Sequence, residues 1–169
     1  DALTGLPNRL VFEEQLDRAL ERARRAGTRI ALVFIDLNGF KAINDRLGHA
    51  AGDQVLQHMA RRLREALRGS DSVARLGGDE FVAILESLSL ERSPHDEAHA
   101  VAGKLLAALT PPVRLEQGPQ QVGASLGIAM FPDHAQSKDR LIHLADLAMY
   151  EAKRSGDNQY RLAQATSPG

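Results

Sequence analysis

The stretch Arg75-Leu76-Gly77-Gly78-Asp79-Glu80-Phe81 (RLGGDEF) decides the fold, because its paired glycines lie between two short apolar runs. The run before the stretch is SDSVA, and the run that follows it is VAIL. Two adjacent glycines between strand-like runs are typical of a tight β-hairpin turn. The stretch therefore predicts an antiparallel pair of strands, and it places two carboxylates directly after the turn.

These carboxylates can be followed along the predicted strand. Because side chains alternate along a strand, Asp79 and Glu80 should point to opposite faces of the sheet. At most one of them should then meet Asp36, which closes the apolar run RIALVFID. In one interpretation, Asp36 caps the next turn and Asp79 is solvated. In the other, Asp36 and Asp79 bind a hard divalent cation such as Mg²⁺, an arrangement suited to metal-assisted nucleotidyl transfer.

The rest of the chain alternates helices with strands, so the sequence predicts an α+β fold. Apolar periodicity predicts helices over 11–26, 39–47, 52–67, 94–109 and 137–155. Strands are predicted over 29–36, on both sides of the glycine pair, and over 113–115, 121–130 and 159–162. A turn at Gly118-Pro119 should join 113–115 to 121–130. The prediction is a mainly antiparallel five-stranded sheet covered by helices in a domain spanning 1–162, with a linker-like tail over 163–169 (AQATSPG).

Composition excludes several classes of function. The net charge of −1 gives no footprint for nucleic acid, and no apolar run reaches the about 18 residues that span a bilayer, so we expect no membrane contact. The absence of cysteine excludes disulfides and thiol catalysis and fits a reducing compartment. Because the chain opens on DALT without methionine, we expect it to be a piece of a longer protein.

The usual phosphate-binding motifs are missing. No GxxxxGK[ST] occurs and no GxGxxG follows a strand. A bound triphosphate would therefore depend on a metal ion and on backbone amides. The segment DLNGFK (36–41) offers such amides where a strand ends, a glycine turn follows and a helix begins. An ordinary strand-to-helix turn explains the same segment equally well.

Five blocks of sequence resemble the GGDEF domain family, the diguanylate cyclases, in the order usual for that family. They are GGDEF itself (77–81), DALTGLPNR (1–9), DLNGFKAINDRLGHAAGD (36–53), SLGIAMFP (125–132) and ADLAMYEAKRSGDN (145–158). The resemblance implies a fold like the palm of nucleotidyl cyclases and polymerases. It also implies condensation of two GTP into cyclic di-GMP, in the cytoplasmic domain of a bacterial signalling protein.

The resemblance also assigns residues to the metal and to the chemistry. Asp36, Asp79 and the backbone carbonyl of Leu37 match ligands of Mg²⁺ or Mn²⁺. Asp79 or Glu80 would help to deprotonate the attacking ribose 3′-hydroxyl. Gly77 and Gly78 would let the backbone approach the substrate without a Cβ atom in the way.

Further matches concern the substrate and the product. Phe40 and Lys41 match a segment whose amides hold phosphates, and Lys153 matches a lysine that neutralises them. Asn44 and Asp53 match the pair that binds guanine, and an unpaired buried Asp would disfavour ATP. The alternative for this pair is capping of helix ends.

Arg68-Gly69-Ser70-Asp71 has the RxxD spacing of the family's inhibitory site for cyclic di-GMP. If this site is present, Arg68 donates a pair of charge-assisted hydrogen bonds to a phosphate of the product, and Asp71 accepts hydrogen bonds from guanine N–H groups. The alternative for Arg68 is an arginine on a basic helix face, near a helix C-terminus that favours cations.

Two positions depart from the family's pattern. Asn38 stands where many members have a second Asp, and little loss is expected from that exchange. Asp157 stands where many cyclases have Arg or Lys near the triphosphate, which is common in members fused to an EAL phosphodiesterase domain. Three hypotheses follow from this: an active cyclase, a GTP-binding regulatory module, and a product-sensing domain. The first requires a homodimer, and linked sensor or EAL domains are expected in the whole protein.

Overall fold

A computed structural model describes residues 1–164 of the chain. Its helices are α1 (Arg9–Ala26), α2 (Phe40–Leu47), α3 (His49–Ala66), α4 (Pro94–Leu109) and α5 (Lys138–Arg154). Its strands are β1 (Arg29–Asn38), β2 (Ser72–Gly77), β3 (Glu80–Leu88), β4 (Val113–Leu115), β5 (Gly118–Gln120), β6 (Gly123–Phe131) and β7 (Gln159–Leu162). Within the part described, no helix is both long and apolar enough to cross a membrane.

The main sheet has five strands in the order β2-β3-β1-β6-β7. All its pairings are antiparallel except the edge pair β6-β7, which is parallel. Every residue of β1 is buried, as expected for a central strand with both faces covered. The predicted α+β class and the mainly antiparallel five-stranded sheet are confirmed, with helices on both faces.

Two hydrophobic clusters lie on the two faces of this sheet. One face packs against α3 and α4, through residues such as Val55, Met59 and Leu105. The other packs against α1 and α5, through residues such as Phe12, Leu16 and Leu141. The sheet therefore holds the end of β1 and the β2-β3 turn in fixed positions between helices.

The small residue Gly127 sets how closely α5 approaches β6. A Cβ atom on Gly127 would lie 2.1 Å from the backbone nitrogen of Met149 and 2.2 Å from the carbonyl oxygen of Ala145. Helix α5 thus lies directly on the sheet backbone. This close approach fixes the position of Lys153, near the helix C-terminus.

The predicted hairpin that joins 113–115 to 121–130 through a turn at Gly118-Pro119 is wrong in the position of its turn and in its second strand. The chain turns at Glu116-Gln117, and Gly118-Pro119 belongs to β5, which pairs with β4 as a separate two-stranded sheet. Strand β6 instead starts at Gly123 and joins the main sheet. Proline is tolerated in β5 because a two-stranded ribbon leaves edge positions where no N–H is required.

Strand β7 ends at Leu162, the predicted end of the domain, and one further backbone hydrogen bond to β6 follows it. Ala163 is buried, and its N–H donates to the carbonyl of Ile128 at 2.7 Å. The remainder of the predicted linker-like tail, residues 165–169, lies outside the described residues.

Candidate functional site

The end of β1 and the β2-β3 turn come together in the centre of the sheet. Asp36 is the register partner of Glu80 in the β1-β3 ladder. Next to this pair, the N–H of Leu37 donates to the carbonyl oxygen of Asp79 at 3.2 Å. Backbone pairing therefore brings Asp36 to Asp79 and Glu80, although more than forty positions of sequence separate Asp36 from the other two.

The turn requires glycine for its backbone conformation. Gly77 has φ 143° and Gly78 has φ 49°, both in regions that L side chains rarely adopt. Apart from the glycine itself and its two chain neighbours, no atom of the described chain lies within 4 Å of the place where either Cβ would stand. The glycines consequently leave an open approach to the turn.

Asp36 is buried and only half satisfied. It is 3 % exposed, its Oδ2 lies 2.6 Å from Nζ of Lys153, and its Oδ1 is buried without a hydrogen-bond partner in the described residues. The expectation that Asp36 caps the next turn is not met. A buried carboxylate oxygen without a partner is costly, so a cationic ligand at this oxygen would be stabilised.

The pKa values of the other two acids, Asp79 and Glu80, are raised both by burial and by the charge of Asp36. Burial, followed by the charge of Asp36, raises the pKa of Asp79 to about 6. The pKa of Glu80 is also raised, first by burial and then by Asp36 and Asp146. The hydrogen bond to Asp36 raises the pKa of Lys153. The expectation that at most one acid meets Asp36 is therefore wrong, because Asp79 lies in the turn and is not bound by strand alternation.

This carboxylate cluster (Asp36, Asp79 and Glu80) fits a hard divalent cation. Within residues 1–164, no three His, Asp or Glu side chains are arranged to hold a metal ion on their own. Mg²⁺ is usually held by one or two carboxylates together with water and substrate phosphate, so a two-carboxylate site suits it. A positive charge beside these two side chains would give Oδ1 of Asp36 a partner. It would also favour the ionised form of Asp79 and so lower the elevated pKa of that residue.

A cavity of about 320 Å³ adjoins the cluster. This phosphate cavity is lined by residues of the β1-α2 connection and by the end of α5: Leu37, Asn38, Gly39, Phe40, Lys41, Asp79, Lys153 and Asp157. Helix α2 begins after Gly39 without a side-chain cap, so N–H groups at its start remain available to an anion. All three predicted phosphate-binding residues line this cavity.

Asp157 also lines the phosphate cavity, beside Lys41 and Lys153. The departure from the family's pattern therefore lies beside the residues that the sequence predicts to bind phosphate. A carboxylate there opposes the two lysines.

Asn38 has a structural role that the sequence did not reveal. Its Nδ2 donates to Oγ of Ser125 at 2.9 Å, and its Oδ1 accepts from the N–H of Asn158 at 3.2 Å. The Oδ1 of Asn158 in turn accepts from the N–H of Ala124. This chain of bonds ties β1, β6 and the α5-β7 turn together. An amide suits the position because it donates and accepts at once.

The predicted guanine-binding pair lies where α2 meets α3. The side chain of Asn44 packs so closely on Gly52 that a Cβ there would lie 1.8 Å from Asn44 Oδ1, and Asp53 is the next residue. Neither side chain caps a helix: the N-caps of α2 and α3 are Gly39 and Gly48. The capping alternative is therefore wrong, and no hydrogen bond to another residue of the described chain occupies either side chain.

Arg68 and Asp71, the residues of the predicted product site, contact each other and Glu86. The carboxylate of Asp71 has no exposed surface, and it accepts from the N–H groups of Arg68 and Glu86, each at 3.1 Å. Arg68 donates to the carbonyl of Glu86 and stays half exposed. In this conformation the carboxylate of Asp71 organises the turn through these two hydrogen bonds.

A cavity of about 760 Å³ adjoins that turn. Its lining includes Asp71 and three arginines of α1, namely Arg18, Arg22 and Arg25. Arg22 forms a two-pronged ion pair with Glu86 through Nε and Nη2, at 2.9 and 2.8 Å. Three arginines against the carboxylates of Asp71 and Glu86 leave this lining with a net positive charge, which suits a phosphorylated ligand.

Arg75 is a site residue that sequence reasoning missed. Its Nε and Nη2 donate to the carbonyl oxygen of Gly78 at 3.1 and 2.8 Å, and its Nη1 contacts the carboxylate of Asp1. Arg75 therefore braces the turn from outside. Its place two residues before the glycine pair was the available signal.

Comparison with known proteins gives consistent matches. The profile of the family described as "Diguanylate cyclase, GGDEF domain" matches residues 1–159. The chain is 46% identical over 169 residues to diguanylate cyclase TpbB of Pseudomonas aeruginosa, covering 99% of this chain and 38% of TpbB. A crystal structure of the TpbB GGDEF domain superposes with a TM-score of 0.89 at 46% identity, covering 96% of this chain and 99% of that domain.

A relative with a second activity also matches. The bifunctional diguanylate cyclase/cyclic di-GMP phosphodiesterase MucR of Pseudomonas aeruginosa is 42% identical over 160 residues, which is 95% of this chain and 23% of MucR. The chain thus spans well under half the length of both curated relatives.

Proposed function

The chain belongs to the GGDEF domain family of diguanylate cyclases, and on that premise we propose that it condenses two GTP molecules into cyclic di-GMP with release of two pyrophosphates. The observation that carries the proposal is the carboxylate cluster beside the phosphate cavity, in which Asp36 is buried and Asp79 and Glu80 are half-buried. The carboxylates would bind a cation. The lysines and backbone amides next to them would bind phosphate. This is the arrangement that metal-assisted nucleotidyl transfer needs.

Asp36, Asp79 and the Leu37 carbonyl would hold Mg²⁺ or Mn²⁺. Bound there, the cation would polarise the α-phosphate and lower the pKa of the attacking hydroxyl. Lys153 and Lys41 would neutralise the outer phosphates, and the amides at the start of α2 would orient them. Asp79 or Glu80 would accept the proton of the ribose 3′-hydroxyl, and the raised pKa values of both acids suit that role.

Asn44 and Asp53 would select guanine. The Asp53 carboxylate is exposed and accepts, so it can pair with the adjacent N1–H and 2-amino donors of guanine. Adenine lacks this donor pair, which would leave the carboxylate unpaired and disfavour ATP. Because each domain would hold one GTP, bond formation requires two copies facing each other, in the cytoplasm where GTP is supplied.

The direct test is incubation of the protein with GTP and Mg²⁺ while cyclic di-GMP and lost GTP are both measured. Asp36→Asn and Asp79→Ala should abolish turnover and leave the circular dichroism spectrum unchanged. Specific activity should rise with protein concentration. Full activity in either variant would overturn the metal assignment, and activity that stays constant on dilution of a proven monomer would overturn the paired-domain assignment.

We also propose feedback by the product at Arg68 and Asp71. Arg68 keeps exposed donors for a phosphate, and the arginines of α1 add positive charge to the neighbouring cavity. Asp71 would reach guanine only after the turn opens. Arg68→Ala should weaken binding of cyclic di-GMP and relieve inhibition without changing the affinity for GTP. Unchanged product affinity would leave Arg68 as a surface arginine only.

A second candidate function is a GTP-binding module with little turnover that controls a neighbouring domain, such as an EAL phosphodiesterase. Asp157 in the phosphate cavity is the observation that favours it, because its charge opposes bound triphosphate. The relative MucR is named as both a diguanylate cyclase and a cyclic di-GMP phosphodiesterase, which supports a phosphodiesterase as the kind of neighbouring domain. Measurable binding of GTP without formation of cyclic di-GMP at any protein concentration would support this second function.

A further inference from the structure

A second cavity, of about 380 Å³, meets the same carboxylate cluster from the side of α5. This α5 groove is lined by Asp36 and Glu80 on the sheet and by His143, Asp146, Leu147 and Tyr150 on α5. Lys153 is the one lining residue that it shares with the phosphate cavity, within the described chain. Two separate spaces therefore open onto one set of carboxylates.

The composition of the α5 groove is that of a binding site. The α5 side chains recur three or four residues apart, so they share one face of the helix. Leu147 and Tyr150 are 47% and 57% exposed, among the few large apolar side chains at the surface of the described chain. Exposed apolar groups beside a few polar ones are typical of sites that take an organic ligand.

The inner end of the α5 groove carries an unsatisfied group. Asp36 lines the groove and is 3 % exposed, and its Oδ1 has no hydrogen-bond partner in residues 1–164. A buried oxygen in this state favours a ligand or cation beside it. The groove thus leads from an exposed apolar rim to the reacting centre.

The proposed condensation needs two nucleotides at each centre, a donor of the α-phosphate and an acceptor with a 3′-hydroxyl. The phosphate cavity suits the donor, because lysines and amides line it. The α5 groove has the opposite character, since its polar residues other than His143 and Lys153 are carboxylates. Carboxylates repel a triphosphate but accept hydrogen bonds from sugar hydroxyls.

We propose that the α5 groove receives the ribose of the acceptor GTP, which a facing second copy of the chain carries. Asp146 accepts a hydrogen bond from the ribose 2′-hydroxyl, and Leu147 and Tyr150 contact the sugar and base. The acceptor 3′-oxygen then bonds to the donor α-phosphorus, the bond from that phosphorus to pyrophosphate breaks, and the hydroxyl proton passes to Asp79 or Glu80. This inference rests on the proposed function and assigns Asp146 as a positioning residue.

The first test separates donor binding from turnover. Asp146→Asn and Tyr150→Ala replace exposed side chains, and Glu151→Gln is a matched control on the same helix outside the groove. We expect the two groove variants to bind a non-hydrolysable GTP analogue within twofold of wild type. Their kcat at saturating GTP should fall at least tenfold, with no change in the control.

The second test reads the acceptor alone. A 3′-deoxy-GTP lacks the attacking hydroxyl and serves only as donor, so mixing it with GTP or 2′-deoxy-GTP forms linear dinucleotides whose rates report the acceptor. Wild type should prefer GTP to 2′-deoxy-GTP as acceptor, and Asp146→Asn should reduce that preference at least fivefold. A merely structural role for Asp146 would leave the preference unchanged.

The outcomes are distinguishable. Wild-type protein that forms no cyclic di-GMP overturns the proposed function and this inference together. Active wild type with groove variants of unchanged kcat overturns the groove assignment alone. A loss of kcat that disappears at high protein concentration, or on fusion to a dimerising helix, also overturns it, because the groove would then serve only assembly.

Discussion

The guanidinium of Arg75 donates two hydrogen bonds to the carbonyl oxygen of Gly78, at 3.1 and 2.8 Å from Nε and Nη2. A fork of charge-assisted bonds onto one carbonyl restrains the turn that carries Asp79. The same guanidinium contacts the carboxylate of Asp1 through Nη1. Residues before α1 are thereby connected to the hairpin at the candidate active site.

Arg75→Ala should therefore loosen the turn. Removing these charge-assisted hydrogen bonds should lower the free energy of unfolding by on the order of 1–3 kcal/mol. We therefore expect a lower melting temperature together with about a tenfold loss of kcat. Arg75→Lys keeps the charge but not the fork, so it should restore little of the activity. The exposed Arg161→Ala on β7 is the control, and full kcat in Arg75→Ala would contradict the bracing role.

Asp157→Arg should strengthen GTP binding. The new cation would join Lys41 and Lys153 in the phosphate cavity in place of an opposing charge. We expect KM for GTP to fall about fivefold, more at low salt, with kcat little changed, because the interaction is equal in ground and transition states. Glu151→Arg on an outer face of α5 controls for net charge. If wild type and Asp157→Arg have equal KM values for GTP at both of two salt concentrations, the charge at position 157 does not affect GTP binding.

His134 should make stability depend on pH. Its Nδ1 accepts from the N–H of Met130 at 2.8 Å, and burial lowers its pKa, outweighing the opposing effect of Asp133. The stabilisation should be complete above the unfolded pKa of about 6.5 and should be lost as pH falls from there through the lower folded pKa.

This contribution is measured by urea unfolding of wild type and His134→Asn between pH 4.5 and 8. The difference in unfolding free energy should favour wild type more at pH 8 than at pH 5. Subtraction removes the contributions of the other histidines. A difference that stays constant across the range would show that His134 does not titrate in this way.

Gly127→Ala should disturb both stability and activity. Its Cβ would collide with backbone atoms of Met149 and Ala145, which cannot rotate away as side chains can. We expect the free energy of unfolding to fall by about 1–3 kcal/mol. We also expect kcat to fall, because α5 carries Lys153. Gly103→Ala is the matched control: this glycine is exposed in α4, and apart from its chain neighbours and its own helix backbone no described atom lies within 4 Å of the place of its Cβ. Its free energy of unfolding should rise by about 0.5–1 kcal/mol. A Gly127→Ala variant as stable as wild type would contradict the close packing of α5.

Local pattern alone was sufficient for much of the molecule. The glycine pair predicted the hairpin, the RIALVFID run predicted a central strand, and periodicity predicted every helix of the described chain to within a few residues. These features depend on backbone conformation and on side-chain alternation over a few positions. The same patterns located Asp36 at the end of β1 and free amides at the start of α2.

Only the tertiary structure decided what the site residues contact. Asp36 meets Lys153, Asn38 bridges to Ser125 and Asn158, and both Asp79 and Glu80 sense Asp36. Asp71, which the sequence offered as a ligand, accepts two backbone N–H groups in this structure. Such pairings depend on strand register and on how deeply α5 lies on the sheet, and these are set by packing between segments far apart in sequence. No periodicity within a single segment carries that information.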